Sequence, residues 1–86
     1  MKIAHHHKFN KSYAKLDAKH QVKVDAALET FQANPKASVL DNHPLKGDLA
    51  GKRAIRVTGD LRIVFEEFED YAMVLLVDVG SHNQVY

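Results

Sequence analysis

Two histidines in the C-terminal half of the chain have the residue type that proton transfer near neutral pH requires. His82 follows Gly80-Ser81 at the end of a strongly apolar stretch, and His43 stands before a proline in a loop. An ordinary histidine, with a pKa of about 6.5, can give or take a proton near neutrality. The proline restricts the backbone of His43 to an extended shape and so directs its imidazole. The pair is suited to general acid–base chemistry.

Arg56 and Arg62 lie between these histidines, on either side of a turn. Metal-free RNA cleavage needs one group to take the proton of the ribose 2′-OH, a second to protonate the leaving 5′-oxygen, and a cation for the charge on the phosphorane. Arginine is always charged and can hold phosphate bidentately. If the two arginines share a face of a hairpin, they form an anion site. Taken singly, each arginine is better explained by a surface ion pair with Glu66, Glu67 or Asp70. Each histidine, taken singly, is better explained as an ordinary solvated side chain.

Other polar residues carry weaker signals. Asp60 could orient a neighbouring histidine, although Gly59-Asp60 is also ordinary turn chemistry. The adjacent His5, His6 and His7 make a poor metal site, because neighbours on a strand alternate between faces and no carboxylate stands beside them at ligand spacing. The sequence has no glycine-rich phosphate loop and no HExxH motif. We expect neither a metal nor another cofactor.

Composition restricts the class of protein. The 86 residues, 45% hydrophobic and 27% charged, predict one globular domain over residues 1–86 with a single core. The absence of cysteine excludes disulfides, thiolate chemistry and Cys-based zinc sites. The longest apolar run, Ala72 to Val77, is far shorter than the roughly 20 residues of a membrane span, and the N-terminus does not resemble a signal peptide. We expect a cytoplasmic protein with no membrane partner.

The charge distribution is uneven although the net charge is only +1. Residues 1–36 contain seven lysines and three acidic residues, whereas residues 37–86 contain five basic and eight acidic residues. A modest basic face attracts phosphate backbones, but the overall balance is far from that of strongly basic nucleic-acid binders. A solvated helix surface explains the individual lysines equally well.

Hydrophobic periodicity predicts the elements of an α+β fold. Residues 2–7 are interpreted as a first strand, and residues 9–34 as two helices that Asp17 separates as a cap, the second ending at Asn34-Pro35. Residues 36–51 are interpreted as a loop that includes one turn of helix. Residues 53–57 and 61–65 alternate around a turn and form a hairpin. Residues 72–77 are apolar throughout, which indicates a central strand covered on both faces. The order β-α-α-β-β-β predicts a helical hairpin packed on a mostly antiparallel four-stranded sheet.

Several short motifs together resemble the RelE/ParE superfamily of bacterial type II toxins. They are, in order, His43-Pro44-Leu45-Lys46-Gly47, Gly51-Lys52-Arg53-Ala54-Ile55-Arg56-Val57, Asp60-Leu61-Arg62-Ile63-Val64-Phe65 and Val79-Gly80-Ser81-His82. The first and last of these are most similar to the YafQ branch. The resemblance extends over nearly the whole chain in element order, and it implies a RelE-like fold.

The resemblance also implies a function. Members of the superfamily's nuclease branches enter the ribosomal A site, cut mRNA by 2′-OH attack and are neutralised by an antitoxin from the same operon. The expected partners are thus an antitoxin, the ribosome and mRNA, with operator DNA as a target of the antitoxin complex. Carried over by position, the resemblance implies the following roles: His43 and His82 as acid–base groups with His82 as general acid, Asp60 as support, Arg62 as a phosphate-stabilising arginine, and Tyr86 as a base-stacking aromatic. Arg56 and Lys46 are expected as further phosphate or RNA ligands.

The chain departs from the YafQ pattern at two positions. Arg56 replaces a histidine of that branch, and Leu61 replaces a tryptophan. Arginine can stabilise phosphate charge but cannot act as a base near neutral pH. A ParE-like toxin that inhibits gyrase without catalytic histidines, and an inactive fold member that serves as a binding or autoregulatory module, are the alternatives to an mRNA endonuclease.

Overall fold

The chain folds as one sheet with three helices. The computed structural model describes residues 1–86, with the following elements: β1 (Lys2–His5), α1 (His7–Ala14), α2 (Ala18–Ala33), β2 (His43–Pro44), β3 (Arg53–Arg56), β4 (Leu61–Phe68), β5 (Met73–Ser81) and α3 (His82–Val85). The strand order is β1-β5-β4-β3-β2, with β1 parallel to β5 and every other pair antiparallel. The α+β class is confirmed. The sheet has five strands instead of four because part of the predicted loop pairs with β3 as β2.

The N-terminal strand is shorter than predicted. It ends at His5, and His6 caps α1 by accepting a hydrogen bond from the backbone N–H of Lys8 at its Nδ1, 3.0 Å away. His7 is the first residue of the helix. The three neighbouring histidines therefore take separate structural roles, and no group of three or more His, Asp or Glu side chains in the chain could hold a metal ion.

The break between the two helices lies where the sequence predicts it. The Asp17 carboxylate caps α2 by accepting from the backbone N–H of His20 at 2.8 Å, and the His20 ring lies 2.7 Å from the same oxygen. These hydrogen bonds, the backbone one foremost, lower the pKa of Asp17. The helix ends at Ala33, with Asn34 as its C-cap before Pro35, as expected. None of the helices has the length and apolar character that crossing a membrane requires.

The helical hairpin buries its apolar side against one face of the sheet. Val24 and Phe31 of α2 are fully buried, and the Phe31 ring meets Phe65 edge to face at 4.9 Å. Burying a side chain of this size contributes roughly 1.5–3 kcal/mol. The core contains eleven buried residues: Phe9, Val24, Phe31, Leu40, Ile55, Leu61, Ile63, Phe65, Val74, Leu76 and Val79.

The apolar strand β5 is interior to the sheet but is not covered equally on both faces. Val74 and Leu76 are fully buried, whereas Leu75 and Val77 are half-buried and Met73 is 45% exposed. The prediction of two covered faces was therefore wrong for this strand. A β-bulge shifts the register so that Val77 has no partner on β4. Past the bulge, Val79 returns to the core, and the Asp78 carboxylate lies 2.7 Å from the hydroxyl of Ser12 on α1.

Candidate functional site

The sheet face opposite the core carries most of the candidate residues, and we call it the site face. Residues directly opposed on neighbouring strands project to the same side. The register therefore places two rows of residues on this face: His43, Ala54 and Val64, then Arg56, Arg62 and Gly80. The condition that the two arginines share a face is met.

Arg56 and Arg62 face each other without an acidic neighbour. The ion pairs in the structure are Lys8–Asp78, Asp17–His20, Asp41–His43 and Lys52–Glu66, so neither arginine takes part in one. The surface ion pairs expected as the simpler explanation of Arg56 and Arg62 do not form. Like charges directly opposed across two strands repel each other. A bound anion would remove that repulsion.

Arg62 is held firmly by the turn that precedes β4. Its Nη1 donates to the carbonyl oxygens of Thr58 and Leu61, at 2.8 and 3.2 Å. The Thr58 hydroxyl accepts from the backbone N–H groups of Asp60 and Leu61, which fixes the turn itself. Arg62 is half-buried, whereas Arg56 is exposed. The guanidinium of Arg62 thus keeps further N–H donors free in a set orientation.

His43 is oriented by the residue two positions before it. Its Nδ1 lies 2.7 Å from the carbonyl oxygen of Asp41, whose backbone is left-handed at φ 49° and ψ 48°. A carbonyl can only accept, so Nδ1 of the neutral ring carries the proton and Nε2 keeps its lone pair. The Asp41 carboxylate lies 3.9 Å from the same nitrogen. Protonation at Nε2 would create a cation beside that carboxylate, as a general base requires.

His82 begins the short helix α3, which folds back over the sheet. Its backbone N–H donates to the carbonyl oxygen of Asp60 at 3.0 Å and lies 3.3 Å from Oδ1 of the same residue. Asp60 thus positions the backbone of His82 and does not contact its imidazole. Ser81 and Gln84 form a capping box that closes the first turn of α3.

Tyr86 joins the two histidines. Its ring meets that of His82 edge to face at 4.4 Å, and its hydroxyl lies 3.5 Å from Nε2 of His43. Burial raises the pKa of Tyr86, the Asp41 carboxylate adds to this, and the nearby Arg62 guanidinium opposes it. The phenol therefore stays protonated and donates toward Nε2. His43, His82, Arg62 and Tyr86 form one cluster.

Two sequence candidates lie outside that cluster. Lys46 lines a separate hollow whose other wall includes Tyr86. Arg56 borders the largest cavity, about 540 Å³, which lies between α2 and the β3–β4 turn and contains neither histidine. Sequence reasoning missed Asp41, which orients His43, and Gln84, which caps α3. The spacing of Ser81 and Gln84 is that of a capping box and could have indicated the helix.

A helical hairpin on one face of a five-stranded sheet, with histidines and arginines gathered on the other, agrees with the small α+β toxins of the RelE/ParE superfamily. The model of the family described as "Bacterial toxin of type II toxin-antitoxin system, YafQ" matches residues 1–86. The chain belongs to this family of type II toxins.

Solved structures share the fold. YafQ from E. coli is 20% identical with a TM-score of 0.81, covering 98% of this chain and 96% of its own. YafQ in the E. coli DinJ–YafQ complex is 20% identical with a TM-score of 0.77 at the same coverage. A metal-bound toxin from Helicobacter pylori is 30% identical with a TM-score of 0.69, covering 100% of this chain and 99% of its own. The comparison with curated proteins gives no match.

Proposed function

We propose that this toxin is a metal-independent, ribosome-dependent mRNA endonuclease. The observation that carries the proposal is the contact of both histidines with Tyr86, beside the half-buried Arg62. His43 and His82 come from different elements, yet each touches the same side chain. Two proton-transfer groups flanking one cation are the minimum for RNA cleavage through the 2′-oxygen.

The proposed reaction uses each group once. Nε2 of His43 takes the proton of the ribose 2′-OH, and the oxygen attacks the adjacent phosphorus. His82, protonated, gives its proton to the leaving 5′-oxygen as the P–O bond breaks. Arg62 stabilises the charge on the equatorial phosphorane oxygens. The products are a 2′,3′-cyclic phosphate and a free 5′-hydroxyl. His43 is then protonated and His82 is neutral, the reverse of their starting states.

The two departures from the YafQ pattern are compatible with this assignment. Leu61 is buried in the core, with 7% exposure, so it cannot stack on a base from that position. Tyr86, on the rim of the cluster, takes the aromatic role instead. Arg56 lies opposite Arg62 in the strand register but outside the cluster, and the acid–base pair does not require a third histidine.

The proposed partners follow from the same function. The substrate is mRNA in a translating ribosome in the cytoplasm, and a cognate antitoxin neutralises the toxin, as DinJ accompanies YafQ in the E. coli complex. The antitoxin complex is proposed to bind operator DNA. Lysines of α1 and α2, such as Lys11 and Lys19, are exposed and suit contact with phosphate backbones.

Mapping of RNA ends in cells tests the proposal. The wild-type chain, His82→Ala and His7→Ala are induced, and new 5′ ends are mapped on a translated message and on the same message without a start codon. His7 is the matched control, because it is an exposed histidine on α1 outside the cluster. We expect in-frame cuts that need translation and His82 and that persist in His7→Ala.

Other outcomes would redirect the assignment. Growth arrest without cuts, retained in His82→Ala, would contradict the nuclease and favour a ParE-like gyrase inhibitor. If the wild-type chain causes neither cuts nor growth arrest but still binds the antitoxin, the result would indicate that the protein is a binding module.

A further inference from the structure

A hollow of about 270 Å³ lies beside Tyr86. Its lining residues are Leu45, Lys46, Asp48, Leu49 and Tyr86. We propose that this hollow is a nucleobase subsite that selects guanine, next to the phosphate that the cluster cleaves. The inference rests on the proposed function and adds the base preference of the substrate.

The hollow has a wall fixed by the backbone. A 3-10 turn over Gly47–Leu49 is closed by hydrogen bonds from Leu49 N to Lys46 O at 3.2 Å and from Ala50 N to Gly47 O at 3.0 Å. Gly47 has a φ of +64°, which suits glycine. The backbone N–H of Leu45 also donates to Lys52 O at 2.9 Å, which ties this segment to the start of β3. The charged side chains at the hollow are thus mounted on an ordered turn.

The position and size of the hollow suit one base of a bound strand. Tyr86 forms one side of it, while the hydroxyl of the same tyrosine lies 3.5 Å from Nε2 of His43. A base stacked on this ring therefore belongs to a nucleotide that flanks the scissile phosphate. The volume of about 270 Å³ lies just below the range of roughly 300–1,000 Å³ typical of drug-sized ligands. Leu45 and Leu49 supply apolar surface for a flat ring.

The two charged groups at the hollow favour guanine. The Asp48 carboxylate only accepts hydrogen bonds and the Lys46 ammonium only donates them. Neither forms an ion pair in the structure, so both remain free for a ligand. Guanine presents two adjacent donors, N1–H and N2–H, to a carboxylate, and offers O6 and N7 as acceptors to an ammonium. Adenine, cytosine and uracil cannot give a carboxylate this bidentate pair through their base-pairing edges.

Binding of uncleavable RNA tests the inference separately from cleavage. The probes are four short oligonucleotides with a 2′-deoxy substitution at the scissile position, identical except for G, A, C or U at the flanking base. We expect the purified chain to bind the G probe about tenfold more tightly than the others, since a good bidentate pair discriminates by roughly five- to 150-fold.

Asp48→Asn isolates the carboxylate. The affinity of this variant for the G probe should fall about tenfold, while its affinity for the other three probes changes little. Asp70→Asn is the matched control, because Asp70 is exposed at the β4–β5 turn and its φ of 54° suits asparagine. Equal binding of all four probes by the parent, or an equal change for all four in Asp48→Asn, would overturn the subsite. If mRNA is cleaved without base preference, the guanine subsite is contradicted and the nuclease function is not. If the chain binds the G probe selectively but cleaves no mRNA, the nuclease function is contradicted and the subsite is not.

Discussion

Gly80 is the residue whose substitution should most directly separate activity from folding. It lies on β5 directly under α3, and a Cβ added there would come 2.9 Å from Gln84 Oε1, 3.2 Å from Val85 Cγ1 and 3.3 Å from Gln84 Cβ. The Gln84 oxygen cannot move away freely, because it accepts the backbone N–H of Ser81 at 2.8 Å in the capping box. Gly80→Ala should therefore displace α3 from the sheet.

The magnitude follows from two effects that both disfavour the docked state of α3. Loss of the Ser81–Gln84 hydrogen bond costs about 0.5–1.5 kcal/mol, and crowding of a methyl group costs about 1–3 kcal/mol. A helix of four residues cannot hold its shape without docking. We expect roughly 2 kcal/mol against the docked state, which corresponds to a loss of cleavage rate of about ten- to thirtyfold. Alanine favours an extended strand over glycine by about 0.5–1 kcal/mol, so the melting temperature should hardly change.

Three measurements together check this prediction: the cleavage rate, the melting temperature and the NMR titration of Tyr86. Undocking exposes the phenol, so the pKa of Tyr86 should fall from its raised value toward that of an ordinary tyrosine. Gly59→Ala is the control, since a Cβ at Gly59 meets nothing within 4 Å. Full activity of Gly80→Ala with an unshifted Tyr86 would refute the proposed docking of α3, and a large fall in melting temperature would show that Gly80 acts through the fold.

Two further predictions concern the helices. Asp78 is buried and its carboxylate accepts from the Ser12 hydroxyl at 2.7 Å, with Lys8 Nζ at 3.5 Å. Asp78→Ala should lower the free energy of unfolding by about 1–3 kcal/mol, because α1 loses its polar contact with β5. Urea denaturation measures this change, and an unchanged midpoint would contradict the prediction. Asp17→Ala should lower the melting temperature at neutral pH. Since the pKa of Asp17 is lower in the folded state, this stabilisation exists above the unfolded pKa and disappears as the pH falls through the folded one; a difference that persists in acid would exclude the cap as its cause.

Local patterns in the sequence were sufficient to predict those elements whose structure depends on their own residues. The alternation of residues 53–57 and 61–65 predicted the central hairpin, and the register then places Arg56 opposite Arg62. Asp17 was recognisable as a cap because its side chain serves the backbone three residues away. The two histidine motifs pointed to residues that the fold brings to the same tyrosine.

Features that depend on distant partners were not recognisable. The strand β2 has only two residues, His43 and Pro44, and exists because His43 pairs with Ala54 on β3. The helix α3 depends on the space above Gly80 as much as on its own four residues. The bulge at Val77, which turns Asp78 toward α1, interrupts an apolar run that gives no local sign of it.

The contacts within the cluster differ in strength, and this difference indicates which side chain can be displaced when substrate binds. His43 is tied to Asp41 at 2.7 Å and the backbone of His82 to Asp60 at 3.0 Å, both through main-chain groups of fixed segments. The contact of the Tyr86 hydroxyl with His43 Nε2, at 3.5 Å, is at the limit of a hydrogen bond and contributes little. A ribose hydroxyl that replaces the phenol at Nε2 therefore meets a histidine already oriented by the protein. The tyrosine is the part of the cluster that can move aside at small cost, because its displacement leaves the ties of both histidines intact.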